Sequence, residues 1–353
     1  MGRTSQKTWS TKSKEKNKVK SKYIAVADDI MRCAQLAAAI EVSGWPKPGN
    51  VHRTFDFSDT RFEHFIAGSI ALGPVMRQAA LRGIDVGLGK LEIEKIGVGR
   101  LIKEAVMDVK RWHGGGNTHL GVSLLFSPLA ASAGLAYVIN GKIDVKSLRE
   151  NVRKVMVSTS SQDAADVYDT IISVNPTALG RLEGANSPDL KDRDAATKLS
   201  EQQFTLYDVM VASSKWDNIS REWYSGMQIC FETGYPTILN VYQNTNDPNI
   251  AVVHTFLTIV HKHPDTLIAR KVGIKETPYI AKAVKTGLKK TSWVAETAGK
   301  ILKMRGLTTE RGRRALFEFD QKLQAGKGEL NPGTSADLTA ASLMIFFLCD
   351  FRF

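Results

Sequence analysis

The sequence predicts an all-α protein: a single large multi-helix domain preceded by a disordered basic N-terminal tail. Apolar residues recur at helical spacing along most of the 353 residues, and no convincing run alternates apolar and polar residues as a half-buried strand does. No linker rich in proline, glycine or serine divides residues 23–353. A hydrophobic content of 43% and a charged content of 24% exclude a wholly disordered or collagen-like chain.

The N-terminal tail, residues 1–22, carries most of the excess positive charge. It holds eight Lys and Arg residues against one Glu, so it contributes +7 to the net charge of +12. Lys, Ser, Thr and Asn dominate it, and so little apolar surface cannot offset the entropy lost on ordering. We therefore expect a disordered, solvated extension, and an arm that binds nucleic-acid phosphates is the alternative.

The first expected helix, Tyr23 to Val42, shows the periodicity on which the helix predictions depend. Its residues Ile30, Ala34, Ala37 and Ala38 lie at i, i+4, i+7 and i+8 and form one apolar stripe. Later helices are expected at Phe62 to Arg82, Ile93 to Trp112, Leu120 to Ile139, Asp144 to Met156, Asp163 to Val174, Ser187 to about Ser213, Trp216 to Phe231, Thr237 to Val260, Pro278 to Met304, Thr309 to Ala325 and Ser335 to Phe351.

One expected helix, Leu120 to Ile139, is long enough to span a bilayer. Serine, proline and glycine interrupt it and large aliphatic residues are few, so a helix buried in a soluble core is the better interpretation. The apolar C-terminal segment is too short to span, and Asp350 and Arg352 interrupt it. Residues 1–22 lack the apolar stretch of a secretory signal. We therefore expect a soluble, cytoplasmic protein without membrane contact.

Three junctions rich in glycine or proline are candidate phosphate-binding segments: residues 45–53, 114–121 and 331–337. Neither a P-loop nor a dinucleotide-binding fingerprint occurs in a strand–turn–helix context. The last two junctions run straight into an expected helix, where unpaired backbone amides and the helix dipole attract anions. The alternative interpretation of each junction is a structural helix cap.

Carboxylates form a second group of candidate functional residues. Asp56 and Asp59 follow the first junction, and Asp163, Asp166 and Asp169 lie at i, i+3 and i+6 of one expected helix. Oxygen ligands without paired cysteines suit Mg²⁺, which usually keeps waters and substrate phosphates among its ligands. A solvated acidic face is the alternative for the three helical residues.

Six short segments resemble motifs of the triphosphoribosyl-dephospho-CoA synthase family and keep the family's order. They are Glu41-Val42-Ser43 through Lys47-Pro48-Gly49, Asn117-Thr118-His119 with Gly121, Ala165-Asp166-Val167-Tyr168-Asp169, Glu232-Thr233-Gly234-Tyr235-Pro236-Thr237, Asp265-Thr266 with Arg270-Lys271-Val272-Gly273, and Pro332-Gly333-Thr334-Ser335-Ala336-Asp337-Leu338. Together they span about residues 30–345. The first and the last segments are the most specific.

The resemblance implies an all-α catalytic domain over residues 23–353 that acts as a transferase. The 5-triphosphoribosyl group of ATP would pass to 3′-dephospho-CoA, or to a related acceptor, with Mg²⁺ as cofactor and with release of adenine. Such chemistry needs cations and helix N-termini for the triphosphate, a base for the acceptor hydroxyl and a proton donor for adenine. A homodimer stays open.

The resemblance also implies roles for particular side chains. The implied substrate- or phosphate-binding residues are Lys47, Gly49, His52, Arg53, Asn117, Thr118, His119, Arg270, Lys271, Gly333 and Ser335. The implied catalytic carboxylates are Glu41, Asp166, Asp169 and Asp337, with Glu232 behind them. The implied metal ligands are Asp56, Asp59, Asp166 and Asp169. The sequence leaves open which of the carboxylates is the general base.

Two departures from the family pattern lie close to the first junction. His52 stands where the bacterial enzymes tend to have an acid, and the acidic element that follows is reduced to Asp56 and Asp59. These changes suggest a divergent branch and leave its acceptor open. Two other functions are alternatives: an N-ribosyl hydrolase of the same fold, and a non-enzymatic nucleotide- or nucleic-acid-binding protein that uses the tail.

Overall fold

The computed structural model describes residues 4–174, 181 and 195–353, with side chains from residue 21 onward except those of residues 195, 196 and 200. Helices dominate these ranges. No β-strand occurs within them, and extended pairing is limited to two isolated bridges, His52 with Phe55 and Arg181 with Tyr279. The all-α prediction is confirmed.

The described helices follow one another through short connections. The α-helices are α1 Thr4–Ser43, α2 Phe62–Ala71, α3 Gly73–Gly87, α4 Val98–Trp112, α5 Leu120–Asn140, α6 Val145–Val157, α7 Ser161–Val174, α8 Ala195–Glu201, α9 Leu206–Ser213, α10 Asn218–Ser225, α11 Tyr235–Thr245, α12 Pro248–Lys262, α13 Thr266–Gly273, α14 Ile280–Lys290, α15 Ser292–Lys303, α16 Glu310–Gln324 and α17 Gly333–Leu348. The shorter turns are 3₁₀-helical at Ile93–Lys95 and Gly306–Thr308 and π-helical at Cys230–Gly234.

Several of the expected helices are divided in two. The helix expected from Phe62 to Arg82 becomes α2 and α3, because Pro74 in the first turn of α3 has no N–H with which to continue α2. The helix expected from Thr237 to Val260 becomes α11 and α12. Asn246 adopts the left-handed conformation (φ 49°) after α11, and the Asp247 carboxylate caps α12 by accepting from the Ile250 N–H at 3.0 Å.

Two further expected helices also differ from the structure. The helix expected from Ser187 to about Ser213 lies partly outside the described residues, and its described part is divided between α8 and α9. Thr205 caps α9 by accepting from the Asp208 N–H (3.1 Å), and the Asp208 carboxylate accepts from the Thr205 N–H (3.0 Å), which is a capping box. The helix expected from Pro278 to Met304 ends and restarts at Thr291.

The first helix begins at Thr4, well before Tyr23, where its start was expected. No glycine or proline lies between Thr4 and Ser43, so nothing in this segment breaks a helix. Only the backbone of residues 4–20 is described, and it continues α1. The disorder expected for residues 1–22 stays a prediction that limited proteolysis can test.

Helix α5 lies at the centre of the larger hydrophobic core. It packs against α3 at backbone distance: a Cβ added at Gly83 would lie 1.8 Å from the Ala131 carbonyl oxygen, and one at Gly134 would lie 2.1 Å from that of Ala80. Among the described helices, α5 is the one long and apolar enough to cross a membrane, and 83% of its most apolar window is buried. The structure therefore uses α5 as a core helix.

A second hydrophobic cluster is formed by α12, α13, α15 and α16, with Phe256, Ile268, Ile301 and Leu316 among its buried members. The N-terminal end of α17 joins the two clusters, because α17 contacts both α5 and α13. The N-terminal ends of α5, α13 and α17 therefore come together at this boundary, where the candidate site is found.

Candidate active site

The end of α1 and the loop after it bury an ion pair between Glu41 and Lys47. The Lys47 ammonium donates to the Glu41 carboxylate and also to the Glu41 carbonyl oxygen, the latter at 3.0 Å. Lys47 is 1% exposed and Glu41 is 5% exposed. Burial raises the pKa of Glu41 and lowers the pKa of Lys47, and the mutual attraction of the two charges opposes both shifts.

Asp337, near the N-terminal end of α17, is the central carboxyl group of the site. Its Oδ2 would lie 2.0 Å from a Cβ added at Gly121, so the carboxyl group packs directly on the first turn of α5. Within the described residues this group has no hydrogen-bond partner, and part of its surface stays accessible. Burial, and then the charges of Glu41 and Asp265, raise the pKa of Asp337 well above its ordinary value. A carboxyl group with a raised pKa holds its proton more tightly than an ordinary Asp and is a stronger base once ionised.

Asp265 joins α13 to α17. Its carboxylate accepts from the Leu267 and Ile268 N–H groups at 2.9 and 3.0 Å, which caps α13. The same carboxylate accepts from the N–H and the hydroxyl of Ser335 at 2.7 and 2.8 Å. One carboxylate therefore occupies the amides of two helix N-termini. The contacts of Ser335 thus favour a structural role over the expected phosphate contact.

Helix α5 keeps open amides at its N-terminal end. The Asn117 side chain accepts from the Leu120 N–H at 3.1 Å, and the first bond of the helix runs from the Ser123 N–H to the His119 carbonyl at 2.8 Å. Between them, the amides of Gly121 and Val122 have no partner in the described part of the chain. Unpaired amides at the positive end of a helix dipole form a ready anion site.

Two histidines and a threonine form a hydrogen-bonded chain beside these amides. His113 Nε2 lies 3.0 Å from Thr118 Oγ1, which in turn lies 2.7 Å from His119 Nδ1. The His64 ring stacks on His113 at 5.2 Å between centroids. Burial, and to a smaller extent His113, lowers the pKa of His119 to about 3, so His119 is neutral at physiological pH.

The loop before α5 and the facing walls of α4 and α7 enclose a small cavity of about 130 Å³. Val106, Val109, Leu120 and Val174 supply apolar walls, while polar groups from the loop reach it. Its polar lining residues are Lys110, His113, Asn117, Thr118, His119 and Ser173. This space is smaller than a typical pocket for a whole ligand, so it suits one part of a ligand.

The first junction is anchored to α16. The Asp320 carboxylate accepts from the Gly49 N–H at 3.0 Å and lies 3.1 Å from His52 Nε2. His52 is 2% exposed, whereas Arg53 is exposed and donates to the Ser43 carbonyl oxygen. These contacts favour an anchoring role for Gly49 and His52, and the fixed loop holds Lys47 in place.

The acidic pair on α7 lies on a different part of the surface. Lys103 of α4 donates to Asp166 at 3.2 Å and to Asp169 at 3.1 Å. Further along the same two helices, Lys110 and Ser173 line the cavity. Asp166 and Asp169 are therefore near the cavity but are not brought together with Glu41 and Asp337 by any contact in the described residues.

The expected metal ligands do not form a cage. Asp56 accepts from the Phe62 N–H at 2.8 Å and pairs with Arg61 at 3.5 Å, while Asp59 is exposed beside Gly116. The described residues contain no group of three His, Cys, Asp or Glu side chains arranged to hold a metal ion. They do not fit a Mg²⁺ ion held by the protein alone.

Arg270 and Lys271, the two cations near the end of α13, differ in how many of their hydrogen-bond donors are used. Lys271 donates to the Gly328 carbonyl oxygen at 2.9 Å. Burial lowers its pKa, and the charges of Asp265 and Asp59 oppose that shift. The Nε of Arg270 is buried without a partner in the described part of the chain. Arg270 is therefore the cation with an unused donor.

Several site residues were not singled out from the sequence. Asp265 carried a signal, because an Asp directly before a helix is a typical N-cap. Asp320 carried none, since it acts on Gly49 and His52, which only the fold brings close. Glu232, in contrast, lies within the π-helical turn, is exposed and pairs with Arg149 at 2.7 Å.

The fold and the site define an all-α protein in which the Asp337 carboxyl group, without a hydrogen-bond partner among the described residues, packs on the N-terminal turn of α5. Residues 27–351 match the family of ATP:dephospho-CoA triphosphoribosyl transferases (CitG). The chain belongs to this family, and it is a transferase of the triphosphoribosyl-dephospho-CoA synthase type.

Named relatives support this placement at low sequence identity. The chain is 23% identical to the 2-(5″-triphosphoribosyl)-3′-dephosphocoenzyme-A synthase of Klebsiella pneumoniae, over 90% of this chain and 89% of that protein. It is also 23% identical to the synthase of the same name from Escherichia fergusonii, over 92% and 91%. A crystal structure assigned as a triphosphoribosyl-dephospho-CoA synthase from Archaeoglobus fulgidus has a TM-score of 0.58 and 25% identity, and the match covers 83% of this chain and all of that one.

Proposed function

We propose that this enzyme transfers the 5-triphosphoribosyl group of ATP to 3′-dephospho-CoA and releases adenine. The observation that carries the proposal is the position of Asp337, a carboxyl group without a hydrogen-bond partner among the described residues, between the buried Glu41–Lys47 pair and the open N-terminal end of α5. The reaction breaks the bond between ribose C1′ and the base while positive charge develops on the ribose. Carboxylates near that carbon stabilise the charge, as in glycoside cleavage.

Asp337 is the general base in this proposal. An acceptor hydroxyl must lose its proton to attack C1′, and a base works best when its pKa lies near the working pH. Burial and the neighbouring carboxylates raise the pKa of Asp337, so its carboxylate is a stronger base than that of an ordinary Asp. The Glu41 carboxylate is committed to Lys47, so Glu41 and Lys47 fix the electrostatic surroundings of Asp337 and do not transfer the proton themselves.

The triphosphate is held by backbone amides and by cations from two sides. The unpaired amides of Gly121 and Val122 lie on one side. The unused Nε of Arg270 offers a charged donor on the other, and Lys271 adds charge next to it. We propose that Mg²⁺ is required and that it arrives with the ATP triphosphate, because the described residues hold no cage for it.

The experiment that tests the proposal measures free adenine from ATP by chromatography, with and without 3′-dephospho-CoA. We expect adenine release only when both Mg²⁺ and the acceptor are present. Asp337→Asn should lower kcat by about 10²- to 10⁴-fold because it removes the base. The matched control is Asp29→Asn, which neutralises an exposed carboxylate paired only with Arg32 on α1. Adenine release without any acceptor would instead indicate an N-ribosyl hydrolase.

The proposal also places the enzyme in the cytoplasm, because both of its substrates are intracellular nucleotides. Cell fractionation tests this placement. Recovery of the full-length chain in the membrane fraction after a high-salt wash would contradict it.

A further inference from the structure

We propose that the cavity between α4, α7 and the loop before α5 is the subsite for the departing adenine, and that His113, Thr118 and His119 pass it a proton. This inference depends on the proposed function, since it assigns a role within the same reaction. The cavity offers apolar walls for the faces of a flat ring and polar groups for its edge.

The hydrogen bonds fix which nitrogen of each histidine carries a proton. The Gly115 N–H donates to His113 Nδ1 at 3.2 Å, so in neutral His113 the proton is on Nε2. His113 Nε2 therefore donates to Thr118 Oγ1, and the Thr118 hydroxyl in turn donates to His119 Nδ1. Neutral His119 then carries its proton on Nε2.

The Nε2 of His119 is free to act on a ligand. His119 lines the cavity, and within the described residues the only hydrogen bond of its side chain is the one at Nδ1. The ring is packed against Gly68 of α2 through Nδ1 and Cε1, since a Cβ added at Gly68 would lie 2.5 Å from both atoms. Phe65 packs on the same ring, with 5.7 Å between the two ring centroids. A neutral imidazole with one free N–H is a hydrogen-bond donor that does not require an acidic pH.

Proton transfer along the relay accompanies the departure of adenine. The acceptor oxygen bonds to C1′ as the bond between C1′ and N9 breaks; the electron pair of the broken bond goes to adenine, and the His119 Nε2 proton goes to a ring nitrogen of that base. The Thr118 hydroxyl proton moves to His119 Nδ1, and the His113 Nε2 proton replaces it on Thr118. His113 then takes one proton from solvent at Nδ1, where this proton replaces the hydrogen bond from the Gly115 N–H. Both imidazoles end neutral, and the proton of the acceptor hydroxyl goes to Asp337.

The test breaks the relay at its centre. Thr118→Val keeps the shape of the side chain but removes the hydroxyl, whereas Thr118→Ser keeps the hydroxyl. We expect Thr118→Val to lower kcat for adenine release by about 10²-fold with little change in KM, and Thr118→Ser to retain most of the activity. The matched control is Thr233→Val, which removes another Thr–His hydrogen bond (Thr233 to His263, 3.1 Å) and should leave kcat unchanged.

A change of leaving group separates proton transfer from a structural effect. The triphosphate of nicotinamide riboside has a base that departs neutral and needs no proton. Thr118→Val should therefore turn it over at the wild-type rate while it fails with ATP. An equal loss of rate with both substrates would overturn the relay and leave Thr118 a structural residue.

A second measurement does not depend on turnover. Nitrogen NMR of the ¹⁵N-histidine-labelled protein reports the tautomer of His119, assigned with His119→Gln. The relay requires the Nε2–H tautomer in the wild type and its redistribution in Thr118→Val. Finding the Nδ1–H tautomer would overturn the relay even if adenine is released. If the wild type releases no adenine, the proposed function fails while this readout still decides whether the relay exists.

Discussion

At the scale of single residues, the buried charges around Asp337 are arranged at a cost to stability. Glu41 and Lys47 satisfy each other, but the Asp337 carboxyl group has no partner among the described residues. Carboxyl groups with raised pKa values in clefts are frequent at catalytic sites. The side chain that contributes least to folding is therefore the one we assign to chemistry.

The first prediction is that Asp337→Asn stabilises the protein at neutral pH. The folded-state pKa of Asp337 lies well above the unfolded value of about 3.8. At a pH below both pKa values, Asp337 is protonated in the folded and in the unfolded state, so its ionisation does not affect the stability of the wild type. As pH rises above the unfolded value, only the unfolded chain ionises readily, and the wild type loses stability relative to the variant.

Urea denaturation at about pH 4 and about pH 8 measures this difference in the free energy of unfolding. The stability gain of Asp337→Asn over the wild type should be larger at the higher pH. The opposite result would be a variant that is less stable than the wild type, with a larger deficit at about pH 8 than at about pH 4. It would show that the Asp337 carboxylate is paired in the folded state.

The second prediction concerns the contact between Gly121 and Asp337. A Cβ at Gly121 would lie 2.0 Å from the Asp337 Oδ2, so Gly121→Ala must displace the carboxyl group. We expect a loss in kcat of at least about 10-fold, because catalytic groups tolerate displacements well below 1 Å. Gly114→Ala is the control, since a Cβ there meets no atom within 4 Å. Equal activity of the two variants in the adenine assay would mean that the position of Asp337 does not matter.

At the scale of elements, Asp265 sets the relative position of two helices. Its carboxylate bonds to residues of both α13 and α17. Because Asp337 lies on α17 and Arg270 lies on α13, this one contact also positions the proposed base against the proposed phosphate-binding cation.

The third prediction is that Asp265→Ala destabilises the protein by about 2–4 kcal/mol, since it removes a cap and leaves buried donors at Ser335 unpaired. Asp247→Ala, which removes an ordinary cap from α12, should cost only about 1 kcal/mol. Urea denaturation of the two variants gives the comparison. Equal losses would show that Asp265 acts as a cap for α13 alone.

The expected helices largely match the observed ones, but their boundaries do so only in part. The stop between α11 and α12 could have been predicted, because Asp247 before Pro248 is a typical helix start. The break at Thr291 could not, since no glycine or proline marks it and its hydroxyl bonds within its own turn. Periodicity reports which face is buried, and it continues across a break when both helices bury the same face.

The sequence predicts many of the residues of the candidate site, but it does not predict how they are paired in space. Glu41 and Lys47 are near in sequence, and both were named with Asp337 from the resemblance. The pairing of His52 with Asp320 and of Asp265 with Ser335 joins residues 268 and 70 positions apart. No local sequence pattern predicts such pairs. The sequence therefore predicts phosphate binding by His52 and Ser335, whereas their contacts in the structure favour structural roles.

At the scale of the whole molecule, the lysine-rich segment precedes the residues of the site along the chain, and its last residue, Lys22, lies over the Tyr137 ring of α5 at 5.2 Å from the ring centroid. The buried positions of α1 begin at Ala27, and the site residues start at Glu41. Among the described side chains, neither hydrophobic cluster includes a residue before Tyr23.

The fourth prediction is that removal of residues 1–22 leaves kcat and KM for ATP within about twofold of wild type, because every residue that we assign to the site lies at or after Glu41 in the chain. Any affinity for RNA or DNA should fall, since lysine contacts to phosphates supply salt-dependent binding. Steady-state kinetics and a filter-binding titration at two salt concentrations check both parts. A large loss of turnover would place the tail in the reaction.

The most direct test of the central claim is the stoichiometry of transfer, measured with ribose-labelled ATP and 3′-dephospho-CoA. Mass spectrometry should find one triphosphoribosyl adduct of the acceptor for each adenine released by the wild type, and neither product above background with Asp337→Asn. An adduct formed at the wild-type rate by Asp337→Asn, or adenine released without an adduct, would contradict the assignment of this site to triphosphoribosyl transfer.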